Sequence, residues 1–358
     1  MLKHGKIHER TKRIIAVLGA FCLFLSTIEY LVPKPLPFIR IGFANLPLLL
    51  ALQMPFTAFI TLVIVKIFSQ SIISGTLFSY VFLFSATGTF TSALIMFCLR
   101  KFIHPDLMSI TGISVLGSLC SNIAQIILAR LFIFGAAVIY IAPPLLAIGA
   151  VTGFVLGFFC EKFMKESIWY KNIFTKSNDF VVRTPVKHKV NFVIKKDIIV
   201  FFAGFLLSVT ILFISSPLIR MAMFLLFWVF AAFKKKSGNP FITILFFLSV
   251  ALFNLIAPYG KIIAICGPFV ITEGALLQGI SKAAAVEGLV MLSRTVIPEN
   301  FMLPGYFGNI VGESFRLLRI IIEEKKNITM KNFIGGIDSI LIKCYSISEE
   351  SGYIKSNR

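Results

Sequence analysis

The stretch Phe56–Gly75, FTAFITLVIVKIFSQSIISG, is apolar and long enough at 1.5 Å per residue to cross a bilayer, yet it carries Lys66 near its middle. An ammonium at that depth costs about 2.5–3.5 kcal/mol on insertion scales, so Lys66 is expected to face protein or water rather than lipid. Ser69 and Gln70 follow three and four positions later and Ser74 eight, which makes one face of the helix polar. Lys66 is either neutralised by a neighbouring carboxylate or is a cationic site awaiting an anionic or strongly polar ligand. Between Ile14 and Cys160 the only acids are Glu29 and Asp106, both near the ends of apolar runs, which favours the second reading.

The surroundings agree with a membrane setting. Mean hydropathy is +0.90. Of all residues, 57% are hydrophobic and 14% charged, which excludes an ordinary soluble domain. The net charge of +19 lies mainly outside the apolar runs, as orientation by Lys and Arg produces, so nucleic-acid binding is not the reading adopted. Cys22, Cys98, Cys120, Cys160, Cys266 and Cys344 show no CxxC spacing and mostly sit in apolar spans, as buried small side chains do. The fold class expected is all-α, a polytopic helical membrane protein.

Taken in order, residues 14–31 form a first span, entered from the basic segment MLKHGKIHERTKR and therefore from the cytoplasm; no cleavage site follows. A proline-broken outer loop, VPKPLPFIR, leads to IGFANLPLLLALQM (41–54), too short to cross and expected to be buried, with Asn45 near its outer end. The lysine helix follows. The next span, 79–99, ends in Arg100 and Lys101 on the cytoplasmic side, and its SATGTFTSA centre suits close helix approach. Spans at 110–134 and 138–160 complete six crossings and return the half to the cytoplasm; only Lys34 and Arg40 break the charge pattern. In the 110–134 span, Ser118, Ser121, Asn122 and Gln125 share one helical face, with Asn122 and Gln125 at about the depth of Lys66 and Gln70. That stripe either glues helices together or lines a site; Arg130 lies nearer the outer end, where it could snorkel.

The domain boundaries expected are 1–163 for the first membrane domain, 164–197 for a basic cytoplasmic linker able to lie on anionic lipid, 198–326 for a second membrane domain and 327–358 for a polar tail. The second domain offers spans at 198–215, 217–233 and 241–258, with Lys234–Lys236 marking a cytoplasmic end. A segment at 262–280, containing Gly267, Pro268 and Glu273, is expected to be broken or protein-buried. AAAVEGLVMLSRTVI and YFGNIVGESFRLLRIIIEEKK read as amphipathic helices at the cytoplasmic surface, able to dock on another protein or rest on lipid, beside breaks at Pro298 and Pro304. Both termini are placed in the cytoplasm and the chain in the cell (inner) membrane as a multi-pass protein.

No catalytic chemistry is visible. Asp106, Asp179, Asp197 and Asp338 are isolated, so no aspartate cluster is present to hold Mg²⁺ for prenyl condensation. There is no GxxxxGK[ST] P-loop and no HExxH, and the histidines lie in polar flanks. No catalytic or metal-ligating residue is assigned.

RIGFANLPLLLAL, KIFSQSIISGTLFS and GISVLGSLCSNIAQIILA, in that order, resemble the family named heptaprenyl diphosphate synthase component I, also called Gx transporter, over residues 14–163. That family is similar to the six-helix substrate-binding S components of energy-coupling-factor (ECF) transporters. The family has Arg where Lys66 stands and His where Ser121 precedes Asn122, so the same ligand does not carry over, because Lys and Arg differ at a bidentate anion site. The stretch FFLSVALFNLIAPYGKIIAICGPFVITEGALLQGISKAAAVEGLVMLSR is similar, more faintly, to the membrane T component of the same transporters, over 198–325. The resemblance implies an S-component-like bundle, about four further membrane helices and cytoplasmic coupling helices. It also implies that Arg294 and Arg316 would contact separate ATP-binding-cassette ATPase subunits, although neither stands in the usual Ala-Arg-Gly. ATP would sit on those partners, with no cofactor in this chain. Asn45, Lys66, Gln70, Asn122, Gln125 and Arg130 would bind a small, anionic substrate. The alternative takes the family name literally, as a non-catalytic membrane subunit assisting a separate prenyl diphosphate synthase in quinone side-chain synthesis. A ligand-free scaffold is a third reading.

Overall fold

The computed structural model describes residues 2–31, 42–104, 106–175, 195–214, 216–234, 236, 239–256, 258–266, 269–296, 305–324 and 332–356. The loop with Lys34 and Arg40, most of the linker and the breaks at Pro298 and Pro304 lie outside these residues. The first half comprises α1 (Leu2–Leu31), the short α2 (Leu46–Leu50), α3 (Phe56–Ser74), α4 (Tyr80–Phe102), α5 (Ile110–Ala129) and α6 (Val138–Glu166), followed by the one-turn α7 (Ile168–Tyr170). The stretches Arg10–Glu29, Phe56–Ser74, Tyr80–Phe102, Ile110–Glu166 and Glu273–Val296 are long and apolar enough to cross a membrane. The chain is therefore an all-α polytopic membrane protein.

Local chemistry sets the helix ends. Pro55, whose missing N–H costs nothing there, precedes α3, and Gly75 closes it at φ +61° with its N–H on the Ile72 carbonyl at 3.2 Å. At the start of α5 the Ser109 hydroxyl accepts from the Gly112 N–H at 3.1 Å. Arg100 and Lys101 occupy the last turn of α4, where the helix dipole favours cations. The helices α3, α4, α5 and α6 form an antiparallel series. Phe56 meets Phe97 while Phe68 meets Phe82. Between α5 and α6 the fit is backbone to backbone: a Cβ on Gly153 would lie 2.9 Å from Val115 Cα, and one on Gly157 2.5 Å from Thr111 Cα. α2, too short to cross, is buried throughout, so its unspanned length never faces lipid.

In the second half, α8 (Lys195–Phe213), α9 (Pro217–Phe233) and α10 (Pro240–Leu255) pack around α11 (Glu273–Val296). One expectation is met here and one corrected. The segment at 262–280, expected to be broken or protein-buried, is broken: β1 (Ile262–Cys266) and β2 (Phe269–Thr272) pair antiparallel, and the helix begins only at Glu273. Isoleucine- and valine-rich runs flanking Gly267-Pro268 suit strands better than a helix. The stretch read as a surface amphipathic helix is instead the buried core of this half, with Ala283–Leu292 all buried. Its alanines and glycines admit neighbours closely; a Cβ on Gly279 would lie 2.8 Å from Ala251 Cα.

α12 (Gly305–Glu324) buries Ile310, Val311, Leu317, Leu318 and Ile321 in the same core as α1, and the Ser314 hydroxyl lies 3.2 Å from the Ala16 carbonyl. These apolar residues thus pack against this chain's own first half. The polar tail also folds, as α13 (Phe333–Ser356), with Ile337, Ile340, Leu341 and Cys344 buried. Asp338 of α13 accepts hydrogen bonds from the Ser167 hydroxyl and, at 3.0 Å each, from the N–H groups of Ile168 and Trp169. The start of the linker, including buried Trp169 and Tyr170, is thus packed into the protein rather than spread on lipid.

The basic clusters do not share one side. Arg10 donates to the Ile173 carbonyl, which places the start of α1 beside the end of α6. Lys234 instead donates to the Thr295 carbonyl, and neighbouring Ser293 accepts from the Phe78 N–H. Lys234 therefore lies by the α3–α4 turn, at the end of α4 opposite Arg100 and Lys101. Counting Lys and Arg cannot put both clusters in the cytoplasm.

Candidate functional site

A polar cavity lies inside the first half. Glu29 of α1, Asn45 of the turn before α2, Lys66 and Gln70 of α3, Ser85 and Thr89 of α4, Ser118, Ser121, Asn122 and Gln125 of α5, and Thr152 of α6 line it, with Gly42, Ala44 and Gly149. Its empty space, open solvent at the mouth included, is about 430 Å³, much of it too narrow for water, so a ligand has to be small or the walls have to part. Lys66 is 2% exposed. Its ammonium donates to Asn45 Oδ1 and lies 3.5 Å from Thr89 Oγ1.

The absence of a nearby carboxylate, expected from Glu29's place at the end of a span, is overturned. Glu29 is buried and lines the same cavity. The Gly42 N–H donates to Glu29 Oε2 at 3.2 Å, so the carboxylate anchors the turn Phe43–Asn45 that carries Asn45. The cavity thus holds one ammonium and one carboxylate among hydroxyls and amides.

Part of the α5 stripe glues helices and part is left open. Asn122 Nδ2 donates to the Leu145 carbonyl at 2.7 Å, and the Ser118 hydroxyl donates to the Gly149 carbonyl at 2.6 Å, fastening α5 to α6. Gln125 Nε2 donates to Ser121 Oγ at 3.1 Å, while Gln125 Oε1 and Ser85 Oγ are buried without a hydrogen-bond partner among the described residues. A buried amide oxygen with nothing donating to it costs about 1–3 kcal/mol, which a bound donor would recover. Glycine makes room for this arrangement: a Cβ on Gly88 would lie 2.6 Å from Gln125 Nε2.

Of the residues predicted to bind substrate, Asn45, Lys66, Gln70, Asn122 and Gln125 line one cavity. Arg130 does not. It is exposed, in a π-helical turn (Arg130–Phe134) that starts where α5 ends, so the face carrying Asn122 and Gln125 is not continued to it. Arg294 and Arg316 lie elsewhere. Arg294 packs over the α3–α4 turn, where a Cβ on Gly75 would lie 2.6 Å from its Cγ. Arg316 forks onto Glu313 one turn earlier in α12, its Nε 3.0 Å from Oε2. Glu29, Ser85, Thr89 and Thr152 were not predicted. For Ser85 and Thr89 the four-residue spacing inside SATGTFTSA was the available signal, read there as small-residue packing.

The fold and this cavity define a helical membrane protein with a polar pocket inside its first bundle. Residues 18–163 match the family model Heptaprenyl diphosphate synthase component I, in agreement with the resemblance carried by the three sequence motifs. Residues 196–298 match a second model, described as a domain of unknown function, DUF8519. No curated protein and no solved structure matches the chain.

Proposed function

We propose that the chain is a membrane transport protein of the ECF type, with substrate-binding and energy-coupling parts fused in one polypeptide. The single observation that carries this reading is the buried cavity around Lys66, lined largely by polar residues, with Gln125 Oε1 and Ser85 Oγ left without hydrogen-bond partners among the described residues. A scaffold would gain nothing from burying such groups, whereas a binding site recovers their desolvation when occupied. The substrate is small and carries both an acidic group, for Lys66, and N–H or O–H donors, for Gln125 Oε1, Ser85 and Glu29. The second half couples to separate ATPase subunits, with Arg294, at the α3–α4 turn, linking that half to the binding bundle. Substituting Lys66→Met abolishes ligand binding in a protein that still folds; unchanged binding removes Lys66 from the site.

The description of the matching family favours a second reading, a non-catalytic membrane component acting with a prenyl diphosphate synthase. Copurification of a subunit carrying aspartate-rich motifs supports it, and copurification of P-loop ATPases supports transport.

A further inference from the structure

The second half holds another cationic cluster, at the junction of α9, α10 and α11. Arg220, in the first turn of α9, places Nη1 3.4 Å from the Ser281 hydroxyl of α11. The next residue of α11, Lys282, donates from Nζ to Asn254 Oδ1 near the end of α10, at 3.1 Å. Ser281 and Asn254 are buried, and Arg220 and Lys282 are half-buried. Among the described residues neither cation makes an ion pair, and Arg220 Nε is buried without a hydrogen-bond partner. Two like charges held this close repel, and a guanidinium with an unused donor inside a helical bundle is costly. Arg220 lies near one end of α9 and Asn254 near one end of α10, so the cluster is close to the end of both apolar helices, within reach of the membrane boundary.

We propose that this junction is an anion site that takes a phosphate group, with the Arg220 fork and Lys282 sharing its charge and Ser281 and Asn254 fixing its position. A guanidinium presents a planar fork that matches phosphate oxygens, and lysine adds a point charge beside it. Basic pockets between membrane helices hold phospholipid headgroups by the same chemistry, so the phosphate is either that of an anionic lipid or a free ion.

The test uses the full chain reconstituted in phosphatidylcholine nanodiscs, with thermal unfolding as the readout, in two arms. One arm adds inorganic phosphate to the buffer; the other replaces a fraction of the lipid with phosphatidylglycerol. A saturable stabilisation in either arm is expected, and the arm that gives it identifies the source. Arg220→Gln and Lys282→Met are each expected to weaken it at least tenfold in half-saturating concentration. Should a variant fail to fold, Arg220→Lys, which keeps the charge and loses the fork, serves instead and is expected to weaken it severalfold. No stabilisation of the native chain in either arm, or equal stabilisation of the native chain and the variants, overturns the proposal.

Discussion

At Gln125 the chemistry of the cavity is most exposed to test. Its amide nitrogen is spent on Ser121, and its oxygen is buried with nothing donating to it. Gln125→Leu keeps most of the side-chain volume but removes that acceptor, so ligand affinity should fall by roughly tenfold to a hundredfold, about 1.4–2.8 kcal/mol, by calorimetry or fluorescence titration. The folded protein should lose little, because removing a buried oxygen that lacks a partner offsets the lost hydrogen bond to Ser121. Much of this site was legible beforehand: a lysine in an apolar span and an amide stripe at helical spacing had to face inward. Glu29 was not, because depth along its own helix says nothing of its contact with Gly42, at the start of the turn that carries Asn45. Arg130, set apart in the sequence by its place nearer the outer end, lies exposed and outside the cavity, where α5 gives way to a π-helical turn.

Between elements, the tightest fit is α5 against α6. Gly149, Gly153 and Gly157 follow one another at four-residue intervals and face α5, where Cβ atoms would meet Asn122 Nδ2 at 2.0 Å, Ser118 Oγ at 2.3 Å and Thr111 Cα at 2.5 Å. Gly153→Leu should force the two helices apart, lower the thermal unfolding temperature by several degrees and abolish ligand binding as well, about 1–3 kcal/mol or more of overpacking strain. α13 offers a test of a different kind. Burial, the largest cause, pushes the Cys344 thiol up from its ordinary 9.0 to about 12, with nearby Lys343 and Arg316 pulling the other way. The unfolded thiol gives up its proton first as pH rises, so the docking of α13 is unaffected below pH 9.0 and weakens from there towards pH 12. Maleimide labelling of Cys344 should be negligible at pH 8 and accelerate steeply above pH 9.0, more than free thiolate formation alone predicts. The helices α11 to α13 were the least legible part of the chain. Scattered charges along α11 suggested a surface, but alanine and glycine set which helices can approach, and the polar tail concealed four apolar residues that only pair with α1 and α12 in three dimensions.

For the whole molecule, the two halves are joined through α12 on α1 and through the α3–α4 turn, where Ser293 accepts from Phe78 and Arg294 covers Gly75. A movement of α11 would therefore be felt at the end of α3, the helix that carries Lys66. Purification of the tagged full chain from its own membrane should bring down P-loop ATPases, and Arg294→Ala should uncouple ATP hydrolysis from uptake while leaving ligand binding in place. The helical membrane class followed from hydropathy alone, whereas orientation did not, because basic residues stand at both ends of α4's neighbourhood. The most direct measurement of the central claim is mass spectrometry of small molecules released from the protein purified in detergent, native chain beside Lys66→Met. A small polar compound bearing an acidic group, present in the native sample and absent from the variant, is the result predicted here; no such compound in either, or equal amounts in both, contradicts it.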